Sequence, residues 1–288
     1  MTSIAEILAQ VDRLPAFPAS AARLSGLLRD ERAGAPEVEQ VVRPDPSLTA
    51  SLLRIANSPY FSPRSRPDTV RQAVALLGMK RTFEVAVSAA MAGMVPARLP
   101  GYDLDAKSFW LHCVAVAVLS ERLARETGAS SPDLLFTAGL LHDIGKLAIA
   151  TFVERASASI LVRTRAGMDF VAAEREVLGV DHTEVGARVA ERWKLPAPVA
   201  WAARWHHHPT EAPPNVDRPL VDLVHAADSL AISLGLGCDA GEMARTVDPG
   251  VWRRLGLQVR RMEKVAGESL DAVRGLAATL DAGRENQG

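Results

Sequence analysis

Six of the seven histidines in this chain fall with two aspartates into an order that could assemble one metal site from distant segments. They are His112, the pair His142-Asp143, His182, the run His206-His207-His208, and Asp228. Imidazole nitrogen and carboxylate oxygen hold iron, manganese, zinc or nickel, and two neighbouring metals need a bridging oxygen beside terminal nitrogens. The chain supplies both ligand types. His208 and His225 are assigned to no metal; the first could face solvent and the second could support a ligand or simply fill core.

Taken singly, these residues are weak signals. His142-Asp143 stands in the apolar run Ala138-Gly139-Leu140-Leu141-His142-Asp143-Ile144-Gly145-Lys146, read as one helix. A buried aspartate there needs a positive partner, which could be a metal or Lys146. His112, inside the apolar run Phe109 to Leu119, could equally be a satisfied core histidine. His182 opens a helix whose apolar face is Val185, Val189 and Trp193, His206 and His207 close one stopped by Pro209, and Asp228 interrupts Leu223 to Leu230. Several independent helices each aiming a ligand inward is the pattern of a metal centre.

The elements that must position them are helical. Alternating β-branched runs are missing, while Ala, Leu, Arg and Glu recur at helical spacing. A first amphipathic helix carries Ile4, Ile7, Leu8, Val11 and Leu14, with Ser3 as its expected N-cap, and Leu14-Pro15-Ala16-Phe17-Pro18 ends it. Helices are expected near residues 19–30, 36–43, 46–57, 69–78 and 80–94. After a Pro/Gly-containing connector at 95–104 come 105–127, 132–150, 152–165, 169–178, 182–194, 197–207, 216–234 and one or two more to 282, before a frayed polar tail. The expected organisation is an N-terminal helical half (1–94), the connector (95–104), a metal-site core (105–235) and a C-terminal extension (236–288).

At 288 residues and 48% hydrophobic composition the chain can bury a real core. Its 33 basic and 34 acidic side chains leave no electrostatic footprint for DNA, RNA or an anionic membrane. Arg64, Arg66, Arg71, Lys80 and Arg81 are read as a solvated face, and Trp193, Trp201 and Trp205 as core. Cys113 and Cys238 are read as reduced thiols. The N-terminus lacks a signal-peptide pattern, and apolar runs such as Cys113 to Leu119 fall short of the about 20 residues a bilayer requires, so a cytoplasmic location is expected.

The order His112, His142-Asp143, Asp228 resembles the HD superfamily of metal-dependent phosphohydrolases, and the added His182 and His206-His207 resemble its dinuclear HD-GYP branch. The N-terminal half resembles the HDOD family, the HD-related output domain, through Leu14-Pro15-Ala16-Phe17-Pro18, Asp45-Pro46-Ser47-Leu48-Thr49, Leu52-Leu53-Arg54-Ile55-Ala56-Asn57-Ser58 and Ala73-Val74-Ala75-Leu76-Leu77-Gly78. Phe109-Trp110-Leu111-His112 and Gly139 to Lys146 fit the same family.

That resemblance implies an all-α fold, an HD helical core preceded by an N-terminal helical half, in a bacterial signalling protein acting as a regulatory module with protein partners. HDOD proteins commonly lose HD ligands; this chain keeps the set. Carried over, His112, His142, Asp143 and Asp228 would hold one divalent ion and His182, His206 and His207 a second, with Asp143 bridging. Iron or manganese is favoured, with zinc or nickel as alternatives. The rival expectation is a phosphohydrolase or cyclic-nucleotide phosphodiesterase acting on a phosphoester or nucleotide, with a metal-activated water and Asp143 and Lys146 in the catalytic machinery. Against cyclic-dinucleotide chemistry, His208-Pro209-Thr210-Glu211-Ala212-Pro213-Pro214 replaces the Gly-Tyr-Pro segment, and Ser108 stands where trinuclear members carry glutamate. Input is expected from another chain.

Overall fold

The computed structural model describes residues 4–14, 17–28, 30, 32–58, 66–129, 132–237 and 248–285. The expected cap Ser3 and the residues Pro15, Ala16, Pro59, Pro63, Arg64 and Cys238 lie outside them. Among the described residues the structure is all-α apart from one two-stranded ribbon. Its chain divides into two compact units, the first made of Met1–Pro15 and Val95–Ser269 and the second of Ala16–Met94 and Leu270–Gly288.

The second unit holds α2 (Ala19–Leu27), α3 (Ala35–Val42), α4 (Pro46–Ala56) and α5 (Val70–Met94). The Asp45 carboxylate caps α4 by accepting from the Leu48 N–H, with Pro46 in the first turn. The two helices expected at 69–78 and 80–94 run on as α5 across a kink at Gly78, whose φ of 76° suits a residue without Cβ.

The first unit takes α1 (Ile4–Arg13), which was expected with the N-terminal half. The reason is burial: Ile7 and Val11 are 0% and 5% exposed. Arg192 donates to the Val11 and Leu14 carbonyls. The expected connector contains a ribbon instead of a plain linker. Strands β1 (Arg98–Leu99) and β2 (Leu104–Asp105) pair antiparallel, Leu99 opposite Leu104. Two residues per strand are too few to show an alternating period.

Next come α6 (Ala106–Thr127), α7 (Pro132–Leu141), α8 (Ile144–Arg165), α9 (Phe170–Leu178), α10 (His182–Arg192), α11 (Ala197–Trp205), α12 (Arg218–Ser233), the short α13 (Val251–Arg254) and α14 (Val259–Glu285), which passes into the second unit at Leu270. Asp105, Asp169, Asp181 and Asp217 cap α6, α9, α10 and α12 through side-chain acceptors. Helix α6 is buried all round from Phe109 to Leu119 save Leu111, as befits a central helix. The stretch Leu134–Arg165 is apolar enough to pass for a membrane span, contrary to the sequence expectation, yet 83% of its apolar window is buried inside the fold.

One boundary corrects the sequence reading. His142 and Asp143 do not lie inside a helix running 132–150; they form the turn between α7 and α8, and α8 then continues unbroken past 151. The apolar pattern runs through this break because both flanking helices bury most of their surface, so periodicity could not reveal it.

Candidate metal centre

Five segments converge on one buried point. Helix α6 brings His112, the α7–α8 turn His142 and Asp143, the first turn of α10 His182, the end of α11 His206 and His207, and α12 Asp228. Two glycines permit the approach. A Cβ on Gly145 would sit 1.9 Å from the His182 carbonyl oxygen, and one on Gly139 2.8 Å from the Val116 carbonyl oxygen.

The ligand atoms fall into two groups, Asp143 with His182, His206 and His207, and His112 with His142 and Asp228, each within 4.8 Å. Asp143 faces both. Its Oδ1 is 3.5 Å from His182 Nε2 and 3.6 Å from His206 Nε2. Its Oδ2 is 3.4 Å from His142 Nε2 and 4.0 Å from His112 Nε2. His112 Nε2 is also 3.2 Å from Asp228 Oδ1, and His182 Nε2 is 3.1 Å from His207 Nε2.

The outer nitrogens explain the inner ones. His112 Nδ1 meets the Leu236 carbonyl at 3.1 Å, His142 Nδ1 that of Gly139 at 2.7 Å, and His206 Nδ1 that of Ala202 at 3.0 Å. A carbonyl only accepts, so each Nδ1 must carry the proton, and each neutral ring then turns a bare Nε2 lone pair inward. Glu174, 2.7 Å from its Nδ1, likewise aims the His182 Nε2 inward. This is how metal-binding histidines are oriented.

Buried polar atoms are normally satisfied, yet His142 Nε2, His206 Nε2 and Asp143 Oδ1 have no hydrogen-bond partner among the described residues. All three aim at the common centre. Nitrogen and carboxylate donors in this number fit a divalent metal of the iron, manganese, zinc or nickel kind.

The electrostatics set the rings apart. Burial pushes the His206 imidazole down to about 4, keeping it in the neutral, ligating form. Burial also opposes charge on His182, but the Glu174 carboxylate outweighs it and raises that ring to about 8. His112 is raised because its bond to Asp228 overcomes burial. For Asp143, burial favours the neutral acid, and the charges of Lys146 and His142 outweigh it, holding the carboxyl well below its usual value.

Lys146 is not a surface lysine. It is 4% exposed, and its Nζ lies 2.7 Å from Asp143 Oδ2. His225, buried, donates from Nδ1 to the His206 carbonyl at 2.6 Å and accepts the Asp248 N–H, so it steadies the α11 end and is no ligand. His208 sits beside Asp169 at 3.7 Å, partly exposed, and belongs to neither group. Two residues that sequence reasoning missed are Glu174 and Tyr102, both 0% exposed. Of the tryptophans, Trp193 is buried, but Trp201 and Trp205 are half-buried and line a surface groove of about 740 Å³ with Glu184, Arg188 and Arg204. That groove contains none of the ligands.

Fold and site together define a helical protein of the HD superfamily type, with a His/Asp cluster able to hold a divalent metal. The HDOD domain profile matches residues 14–209, and the chain belongs to the HDOD family. A solved structure of a candidate phosphohydrolase from Shewanella amazonensis SB2B is 26% identical, with a TM-score of 0.75 over 96% of this chain and 98% of that one. An HDOD domain protein of unknown function from Geobacter sulfurreducens is 27% identical, with a TM-score of 0.75 over 97% and 96%. An uncharacterized protein of Treponema pallidum (strain Nichols) is 26% identical over 235 residues, 78% of this chain but 43% of its own length. The chain thus spans less than half of that longer relative.

Proposed function

We propose that this chain is a bacterial, cytoplasmic signal-transduction HDOD protein whose core carries a two-ion metal centre and which acts as a regulatory module on a protein partner. The observation that carries the metal reading is the position of Asp143. One carboxylate oxygen faces His182 and His206 and the other faces His142 and His112. His112, His142 and Asp228 would hold one ion, His182, His206 and His207 the other, and Asp143 would bridge. On the side of a protein partner stands the groove along α10 and α11, where half-buried Trp201 and Trp205 present the residue type enriched at protein contacts.

The second reading, a metal-dependent phosphohydrolase or cyclic-nucleotide phosphodiesterase, is favoured by the complete ligand set and the likeness to a candidate phosphohydrolase. Bound divalent ions would supply Lewis acidity and lower the pKa of water. The chain's own residues would do the rest. Lys146 holds the Asp143 carboxylate in place and sets an ammonium beside the point where phosphate charge would develop. Burial of the ligand rings excludes bulk water, and His207, 9% exposed, marks the reachable edge.

His142→Ala separates the two. In a binding module it costs metal and stability while partner binding survives. In an enzyme, folded His142→Ala protein loses turnover of a phosphodiester such as bis(p-nitrophenyl) phosphate. Wild-type protein that takes up no metal contradicts both readings.

A further inference from the structure

His182 differs from the other anchored ligands in what stands behind it. His112, His142 and His206 lean on backbone carbonyls, whereas His182 leans on a carboxylate. Glu174 Oε2 accepts from His182 Nδ1 at 2.7 Å and from the His182 backbone N–H at 3.0 Å. Its other oxygen, Oε1, accepts from the Tyr102 hydroxyl at 2.5 Å. Both Glu174 and Tyr102 are 0% exposed. A carboxylate so placed is costly unless donors surround it, and three donors converge here. Tyr102 also turns its ring toward the centre, 5.4 Å from Lys146 Nζ and edge-on to the His182 ring.

We propose that Glu174 and Tyr102 are positioning residues of the metal centre. Glu174 fixes His182 with its Nε2 facing Asp143 and His207, and Tyr102, delivered by the β1–β2 turn, fixes Glu174. A carboxylate behind a ligating imidazole also raises the ring's basicity, which a carbonyl does less. The segment between β1 and β2 therefore belongs to the site and is not merely a connector. The proposal rests on the metal reading above.

The test uses the full chain, Zn²⁺ and Mn²⁺ as probes, and the variants Tyr102→Phe, Glu174→Gln and Glu174→Ala. Chelator competition reads affinity, circular dichroism reads folding, and long-range ¹H–¹⁵N spectra read the His182 tautomer above pH 8. The wild type should show the Nδ1–H tautomer; finding Nε2–H overturns the proposal. Tyr102→Phe and Glu174→Gln should fold and lose about 10- to 100-fold in metal affinity. Wild-type affinity in both conservative variants overturns the relay while leaving the metal reading intact, even if Glu174→Ala fails to fold. A wild type that binds neither ion overturns the metal reading and this proposal together.

Discussion

The Nε2 atoms of His182 and His207 face each other at 3.1 Å in a buried pocket, while His182 Nδ1 is committed to Glu174. Two imidazole lone pairs cannot share that space comfortably without a proton or a cation between them. The Glu174 carboxylate raises His182 to about 8, so at neutral pH the metal-free ring carries a second proton, on the Nε2 that faces His207.

Metal binding should therefore displace a proton. At pH 7 about one proton should leave His182 on binding Zn²⁺, with a further contribution from His112, whose value is also raised, the count falling toward none well above pH 8. Titration calorimetry in buffers of differing ionisation enthalpy measures this count. A count of zero at pH 7 would contradict the assignment of His182 as a ligand.

Lys146 and Asp143 form a buried pair at 2.7 Å, so Lys146→Met leaves the carboxylate without its ammonium. Losing one partner of such a pair should cost the metal-free protein about 3 kcal/mol. Saturating metal should restore much of that, because bound cations stabilise the native state by mass action and replace the missing charge. Denaturant unfolding with and without Mn²⁺ measures both numbers.

Close approach of α8 to α10 sets the geometry, and Gly145 is where they meet. Gly145→Ala puts its methyl 1.9 Å from the His182 carbonyl oxygen, against backbone that cannot yield. It should destabilise by about 3 kcal/mol and disturb metal uptake, since overpacking typically costs 1–3. Gly186→Ala, whose Cβ would meet Gly145 N at 3.3 Å, should cost distinctly less. Equal unfolding midpoints would show that the interface has slack.

Asp181 caps α10 just ahead of His182 and pairs with Arg175. Burial raises its pKa, but the Thr183 hydroxyl, His182 charge, Glu184 N–H and Arg175 outweigh this and leave it lowered. A carboxyl depressed in the folded state stabilises above its unfolded value, and the contribution fades as pH falls through the folded value. Asp181→Asn should thus melt below the wild type at neutral pH, with the gap closing below about pH 4. A gap that stays constant to pH 2 would remove the carboxylate charge from the account.

The histidines and aspartates that cluster here were legible as candidate ligands because their chemistry contrasts with their surroundings. One histidine or aspartate inside an apolar run, as at His112 or Asp228, is ambiguous, and it is their recurrence over several helices that marks a site. Glu174 was not legible: it shares Phe170–Leu178 with Arg175 and Glu176, and nothing in that charged helix marks which carboxylate turns inward. Tyr102 was hidden by Pro100 and Gly101, which read as punctuation. The signal available in retrospect is a lone tyrosine in a tight turn between two apolar residues, Leu99 and Leu104. The helix break at His142-Asp143 was invisible because burial on both sides keeps the apolar pattern continuous. The order of helices was readable from periodicity and caps; where α1 belongs was not, because an amphipathic stripe does not name its partner.

Metal held by inward-facing Nε2 atoms around Asp143 is what every reading of this site requires. Elemental analysis of protein purified without a histidine tag or chelator tests it most directly. About two equivalents of iron or manganese per chain are expected, lost in folded His142→Ala and His206→Ala. No bound metal, even after reconstitution with Fe²⁺, Mn²⁺ and Zn²⁺, would contradict it.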